Sequence, residues 1–240
     1  MTTYPEMKAG YWAGCTFRYR FSEVVDAHLA LLSKVGVDAA LLDEEECCGD
    51  ILLLAGLTSK FKENAAKVRR KLEGYELVVT GCAGCYHAFK NYAELGVSIP
   101  EVKHLSQLLA SHLHKLKLKP SGERVAYHDP CELGRLSGEF EAPRAVLKAV
   151  AELVEPLAHG PEAACCGGGG GLWAASPELS VAIAEERIRR DVEPLGVTKL
   201  VTACPTCLLN LSIAAARRST ISGVELEVVD LGVYLLSKVG

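Results

Sequence analysis

Ten cysteines fall into one pattern written twice. They are Cys15, Cys47, Cys48, Cys82 and Cys85, then Cys131, Cys165, Cys166, Cys204 and Cys207. Each set reads C…CC…CxxC, with gaps of 31 and 33 residues in the first and of 33 and 37 in the second. None is left over. A fold for this chain must therefore gather five thiols from distant segments, and must do so twice.

The flanks repeat as well. GYWAGC ends at Cys15 and RVAYHDPC at Cys131. ELVVTGCAGC around Cys82 matches KLVTACPTC around Cys204, and EVKHLSQLLASHL matches LEVVDLGVYLLSKV. This is an internal duplication. The join falls in KLKLKPSGER, whose lysines, proline and glycine suit an exposed linker. Two repeats are expected, 1–120 and 121–240, related by a pseudo-two-fold axis.

Short apolar runs at 77–80, 125–127 and 200–203 read as buried parallel strands. Helical stretches are expected at 22–35, 60–72, 145–153 and 177–191, the last opened by Ser176 as cap and Pro177 at the first turn. Strands and helices alternate, which predicts an α/β chain of two Rossmann-like halves with small parallel sheets. In each half the lone cysteine and the CxxC follow strand ends, and the CC pair lies in a loop after another strand. All five can then meet at the carboxyl edge of one sheet, where open α/β sheets hold their ligands.

Composition narrows the chemistry. Disulfides are rare in reducing compartments, so ten cysteines without a secretory leader point first to metal. The N-terminal segment lacks a basic stretch followed by an apolar run. The apolar runs also fall short of the ~20 residues that span a bilayer. A cytoplasmic chain with no direct membrane span is expected. A net charge of −4 gives no reason to expect nucleic acid as a partner.

Adjacent cysteines chelate one metal atom poorly, and a vicinal disulfide is strained. Four thiolates satisfy a structural zinc or an ordinary cubane cluster, which leaves one cysteine over in each half. An extended iron–sulfur cluster uses all five, with the CC pair straddling it. Gly49 follows the first pair, and Gly167, Gly168 and Gly169 open the run of five glycines after the second. Backbone without Cβ can approach a bulky cofactor and turn its N–H groups toward sulfur. The plainer reading of the run is a flexible loop. A phosphate loop is disfavoured because no Lys-Ser/Thr follows.

The double C…CCG…CxxC pattern, with YHDPCELGRLSGEFEAPRAVL and CCGGGGG, resembles the CCG domains of heterodisulfide reductase catalytic subunits of the B and D types. The likeness extends over nearly the whole chain. It implies two noncubane [4Fe–4S] clusters facing a shared cavity. One would sit on Cys15, Cys47, Cys48, Cys82 and Cys85, the other on Cys131, Cys165, Cys166, Cys204 and Cys207. It also implies reduction or formation of a small thiol disulfide. The alternative is an electron-transfer subunit of a flavin-linked dehydrogenase of the succinate/fumarate, lactate, glycolate or glycerol-3-phosphate type. No C-x2-C-x2-C-x3-C run is present, so a ferredoxin-like iron–sulfur subunit or a flavoprotein subunit is the expected electron source. Asp50 departs from the small or apolar residue usual after CCG.

Other residues carry two readings each. His128 could donate protons to product thiolates, or with Asp129 could fix a turn before Pro130. His87 could be a functional imidazole or a satisfied helix histidine. Arg18, Arg20 and Arg135 could hold an anionic substrate or simply face solvent. The acidic run Asp43–Glu46 reads as a solvated loop or a docking patch, and Trp173 as core or as a stacking surface.

Overall fold

The structure is a computed structural model that describes residues 8–42, 47–223 and 225–240. In the first half the strands are β1 (Ala9–Trp12), β2 (Ala39–Leu41), β3 (Leu77–Thr80) and β4 (Glu101–His104), all parallel, in the order β2-β1-β3-β4. In the second half β5 (Arg124–His128), β6 (Glu152–Val154), β7 (Lys199–Thr202) and β8 (Glu227–Asp230) repeat that order as β6-β5-β7-β8. The register repeats too: Tyr11 lies beside Val79, and Tyr127 beside Val201. The central strands β1 and β3 are buried throughout, as parallel strands covered on both faces must be.

Parallel neighbours need crossovers, and helices supply them. The first half carries α1 (Cys15–Arg20), α2 (Ser22–Lys34), α3 (Asp50–Leu54), α4 (Thr58–Leu72), α5 (Ala83–Glu94) and α6 (Leu105–His112). The second carries α7 (Glu141–Lys148), α8 (Leu172–Ala175), α9 (Pro177–Arg187), α10 (Pro205–Ser222) and α11 (Leu231–Leu236). The sequence of α4 shows why it is helical. Phe61, Ala65, Val68 and Leu72 recur at helical spacing and are its buried residues, while Arg69, Arg70 and Lys71 end it where cations suit the helix dipole.

The stretch 145–153 divides differently from expectation. α7 starts at Glu141, helped by the Glu139 carboxylate, which accepts the Ala142 N–H at 2.8 Å. It stops at Lys148, and Glu152–Val154 becomes the edge strand β6 against β5. Pairing with the sheet overrides a local helical pattern there. Ser176 precedes α9 as expected, but its side chain caps nothing.

The halves pack by exchange. α2 lies against α11 and α6 against α7, and α7 and α11 are the second-half counterparts of α2 and α6. A pseudo-two-fold relates the two contacts. One apolar core runs through both halves, and a smaller one, with Trp12, Phe61 and Tyr92, fills the outer face of the first sheet. The linker is pinned rather than loose: Leu118 bridges Val239, and the Lys119 N–H donates to the Lys238 carbonyl at 2.8 Å. Among the described residues no helix is long and apolar enough to cross a membrane.

Candidate metal centre

Every cysteine follows a strand end or a loop at the carboxyl edge of its sheet. Cys15 opens α1 just beyond β1, and Cys82 is the cap residue of α5 just beyond β3. In the strand order β2-β1-β3-β4 the winding reverses between β1 and β3, so these two cysteines flank the crevice where such sheets bind ligands. Cys131 and Cys204 hold the same places after β5 and β7. The ten cysteines are all unpaired thiols.

Within each half the thiols touch in the same order. Cys15 meets Cys47, Cys47 meets Cys48, Cys48 meets Cys85, and Cys85 meets Cys82. In the second half Cys131 meets Cys165, Cys165 meets Cys166, Cys166 lies 3.2 Å from Cys207, and Cys207 meets Cys204. The arrays approach each other at their ends, where Cys204 lies close to the backbone of Ala83 and its charge reaches Cys82. The Cys85 thiol pulls Cys82 down, but burial and the charge of Cys204 outweigh it and lift Cys82. Cys48 is drawn down to about 6 because the thiols of Cys47 and Cys85 both donate to it. Cys165 is held far down by Cys131 and Cys166 in the same way.

Gly49 and Gly167 sit at φ +82° and +76°, a left-handed backbone that favours glycine. That turn aims the Gly49 N–H at Cys47 sulfur at 3.4 Å and the Gly167 N–H at Cys165 sulfur at 3.3 Å. The Gly168 N–H reaches Cys166 sulfur at 3.4 Å, and a Cβ at Gly168 would lie 2.9 Å from the Thr206 methyl.

A cavity of about 190 Å³ opens over the first array. All five first-half cysteines line it, with Asp50, Ile51 and Leu54. From the second half Glu132, Thr206 and the glycines 168–171 form the opposite wall. The glycine run of one half thus faces the thiols of the other, and no second-half cysteine lines the cavity. Glu132 and Asp50 converge there. Burial, the Cys204 charge and Asp50 push the Glu132 carboxyl up to about 9. Asp50 is held by His87, whose Nδ1 stands 2.7 Å from its carboxylate.

The other candidates separate cleanly. His87 is buried and satisfied by Asp50. Asp129 is structural: it takes two bonds from Arg144, at 2.7 and 2.9 Å, and one from the Gly160 N–H. Arg18 donates to the Leu42 carbonyl and Arg135 to the Ala163 carbonyl, Arg20 is exposed, and none of the three lines the cavity. Trp173 is half-buried, with its indole N–H unpartnered. Asp43–Glu46 lies outside the described residues. His128 is buried, and neither ring nitrogen has a partner. One of them lies within 4.8 Å of both Cys166 and Cys207. Burial, with Arg187 nearby, pushes this imidazole down to about 4. Sequence reasoning missed Glu132 and Thr206. Only their places, beside Cys131 and inside the second CxxC, hinted at them.

The sequence pattern of the CCG family, a cysteine-rich domain, matches residues 9–90 and 125–212. This chain belongs to the CCG cysteine-rich domain family. It is 33% identical over 210 residues to a subunit of the fumarate reductase (CoM/CoB) of Methanothermobacter marburgensis, covering 86% of this chain and 42% of that protein. It is 37% identical over 218 residues to a subunit of the dihydromethanophenazine:CoB–CoM heterodisulfide reductase of Methanosarcina barkeri, covering 84% and 53%. It is 35% identical over 213 residues to EtfAB:quinone oxidoreductase of Syntrophomonas wolfei, covering 82% and 30%. The chain therefore spans about half or less of the length of these relatives. They are oxidoreductases, and two are named as subunits. As a CCG iron–sulfur protein, the chain has a donor set that suits such a group. Five thiols converge in each half, backbone N–H groups point at sulfur, and the buried imidazole of His128 lacks any partner within the protein.

Proposed function

We propose that the chain carries two noncubane [4Fe–4S] clusters, one in each of the repeats 1–120 and 121–240. The first uses Cys15, Cys47, Cys48, Cys82 and Cys85, and the second Cys131, Cys165, Cys166, Cys204 and Cys207. The chain then serves as the catalytic iron–sulfur subunit of a cytoplasmic heterodisulfide-reductase-like complex, reducing or forming a small thiol disulfide. The observation that carries this reading is the repeated thiol order, with an open cavity over the first array. When bound, the clusters supply single electrons, so that one disulfide, two electrons and two protons become two thiols.

The chain's own residues shape the rest. The cavity admits the sulfur end of a substrate between Ile51 and Leu54 on one side and the glycine wall on the other. Glycines on that wall let a substrate approach the thiols closely. His128 is absent from the cavity lining. Electrons come from a ferredoxin-like subunit, a flavoprotein subunit, or both.

A second reading is electron relay without bond cleavage, as a subunit of a flavin-linked dehydrogenase. The name of the EtfAB:quinone oxidoreductase relative favours it. Turnover of small disulfides with a reduced dye as electron donor separates the two. Disulfide-dependent oxidation of the dye by oxygen-free protein supports catalysis. Reduction and reoxidation of the protein with no disulfide dependence supports relay.

A further inference from the structure

The repeats place different residues at one equivalent position. Aligning GYWAGC with AYHDPC sets Trp12, the last residue of β1, against His128, the last residue of β5. Both side chains are buried. The indole N–H of Trp12 and both ring nitrogens of His128 lack hydrogen-bond partners, although groups so buried normally have one. The equivalent pair of thiols belongs to the buried surroundings of each. Trp12 packs in one buried cluster with Cys48 and Cys85, and a His128 nitrogen lies within 4.8 Å of Cys166 and Cys207.

We propose that these two N–H groups are hydrogen-bond donors to the sulfur of the clusters, Trp12 for the first and His128 for the second. The inference rests on the cluster reading above. It explains two orphaned donors at matching positions with one cause. His87 and Asp129, by contrast, are satisfied inside the protein. Five thiols already stand in the second array, so the imidazole is not needed as an iron ligand. Donors to sulfur favour the electron-rich reduced state and raise its potential. His128 and Trp12 therefore set their clusters separately.

The test uses full-length protein purified without oxygen and loaded with iron and sulfide. It compares the parent with His128→Leu, His128→Gln and Trp12→Phe by redox titration followed by electron paramagnetic resonance. Iron is counted in each. His128→Leu should shift one cluster to lower potential at unchanged iron, His128→Gln should restore part of the shift, and Trp12→Phe should lower the other cluster. Parent protein carrying ring-labelled histidine should show weak nitrogen coupling to one cluster, a readout that needs no variant to fold. Unchanged potentials with no nitrogen coupling overturn the proposal. So does strong coupling with loss of iron in His128→Leu, which would make the imidazole a ligand. A parent protein that holds no iron fails the cluster reading itself, an outcome distinct from normal iron with unmoved potentials.

Discussion

His28 on α2 and Asp230 at the start of α11 join the two halves: Nε2 of the imidazole stands 2.7 Å from the carboxylate, and both are almost fully buried. A carboxylate only accepts, so Nε2–H is the donor. The other ring nitrogen meets the Tyr11 hydroxyl. Asp230 also accepts the N–H groups of Gly232 and Val233 and so caps α11. Asp230→Ala removes the cap and leaves a buried donor unpaired. The two losses together should cost about 3 kcal/mol. Asp230→Asn keeps an acceptor and should cost about 1 kcal/mol. Chemical denaturation of oxygen-free protein checks both values.

Arg144 is nearly buried between Asp129 and Glu155, which hold it from two sides. Asp129→Ala strands part of that charge and frees the Gly160 N–H. A loss of about 3 kcal/mol is expected. Replacing Arg144 and Asp129 together by apolar residues of similar volume should recover much of it. A double-mutant cycle in urea measures the difference.

His104 gives the fold a pH dependence. Burial pushes its ring down to about 4, below the ~6.5 of an exposed histidine. The unfolded chain therefore binds the extra proton first as pH falls. Stability is fully present above about pH 6.5 and is lost progressively toward pH 4, by up to ~3 kcal/mol. His104 caps α6 by accepting from the Ser106 N–H. His104→Asn keeps an acceptor there without titrating. Its unfolding free energy should fall less between pH 7 and pH 4 than the parent's.

Gly168 meets Thr206 so closely that a methyl group would clash with both its side chain and its carbonyl. Gly168→Ala should displace the N–H that reaches Cys166 and weaken the second array alone. Iron per chain should drop toward half while the first cluster's resonance persists. Equal loss from both clusters would mean the glycine wall matters to the whole site.

Much of this was legible in the sequence because it was local or repeated. The strands at 77–80 and 125–127, the helices at 22–35 and 60–72, and the placing of every cysteine after a strand followed from apolar runs and the duplication. What could not be read was contact between the halves. Asp50 and Glu132 converge across the interface, and the glycines 168–171 line the cavity over the first array while Gly168 also bonds Cys166 of the second. No spacing in either repeat encodes that. The edge strand β6 was hidden within its own half, since its partner β5 lies more than twenty residues away in sequence and no local pattern encodes that pairing.

The most direct test of the central claim is the count of iron, acid-labile sulfide and zinc per chain in protein prepared without oxygen. Two four-iron clusters on ten thiols require about eight irons and eight sulfides. Zinc without sulfide would contradict that claim.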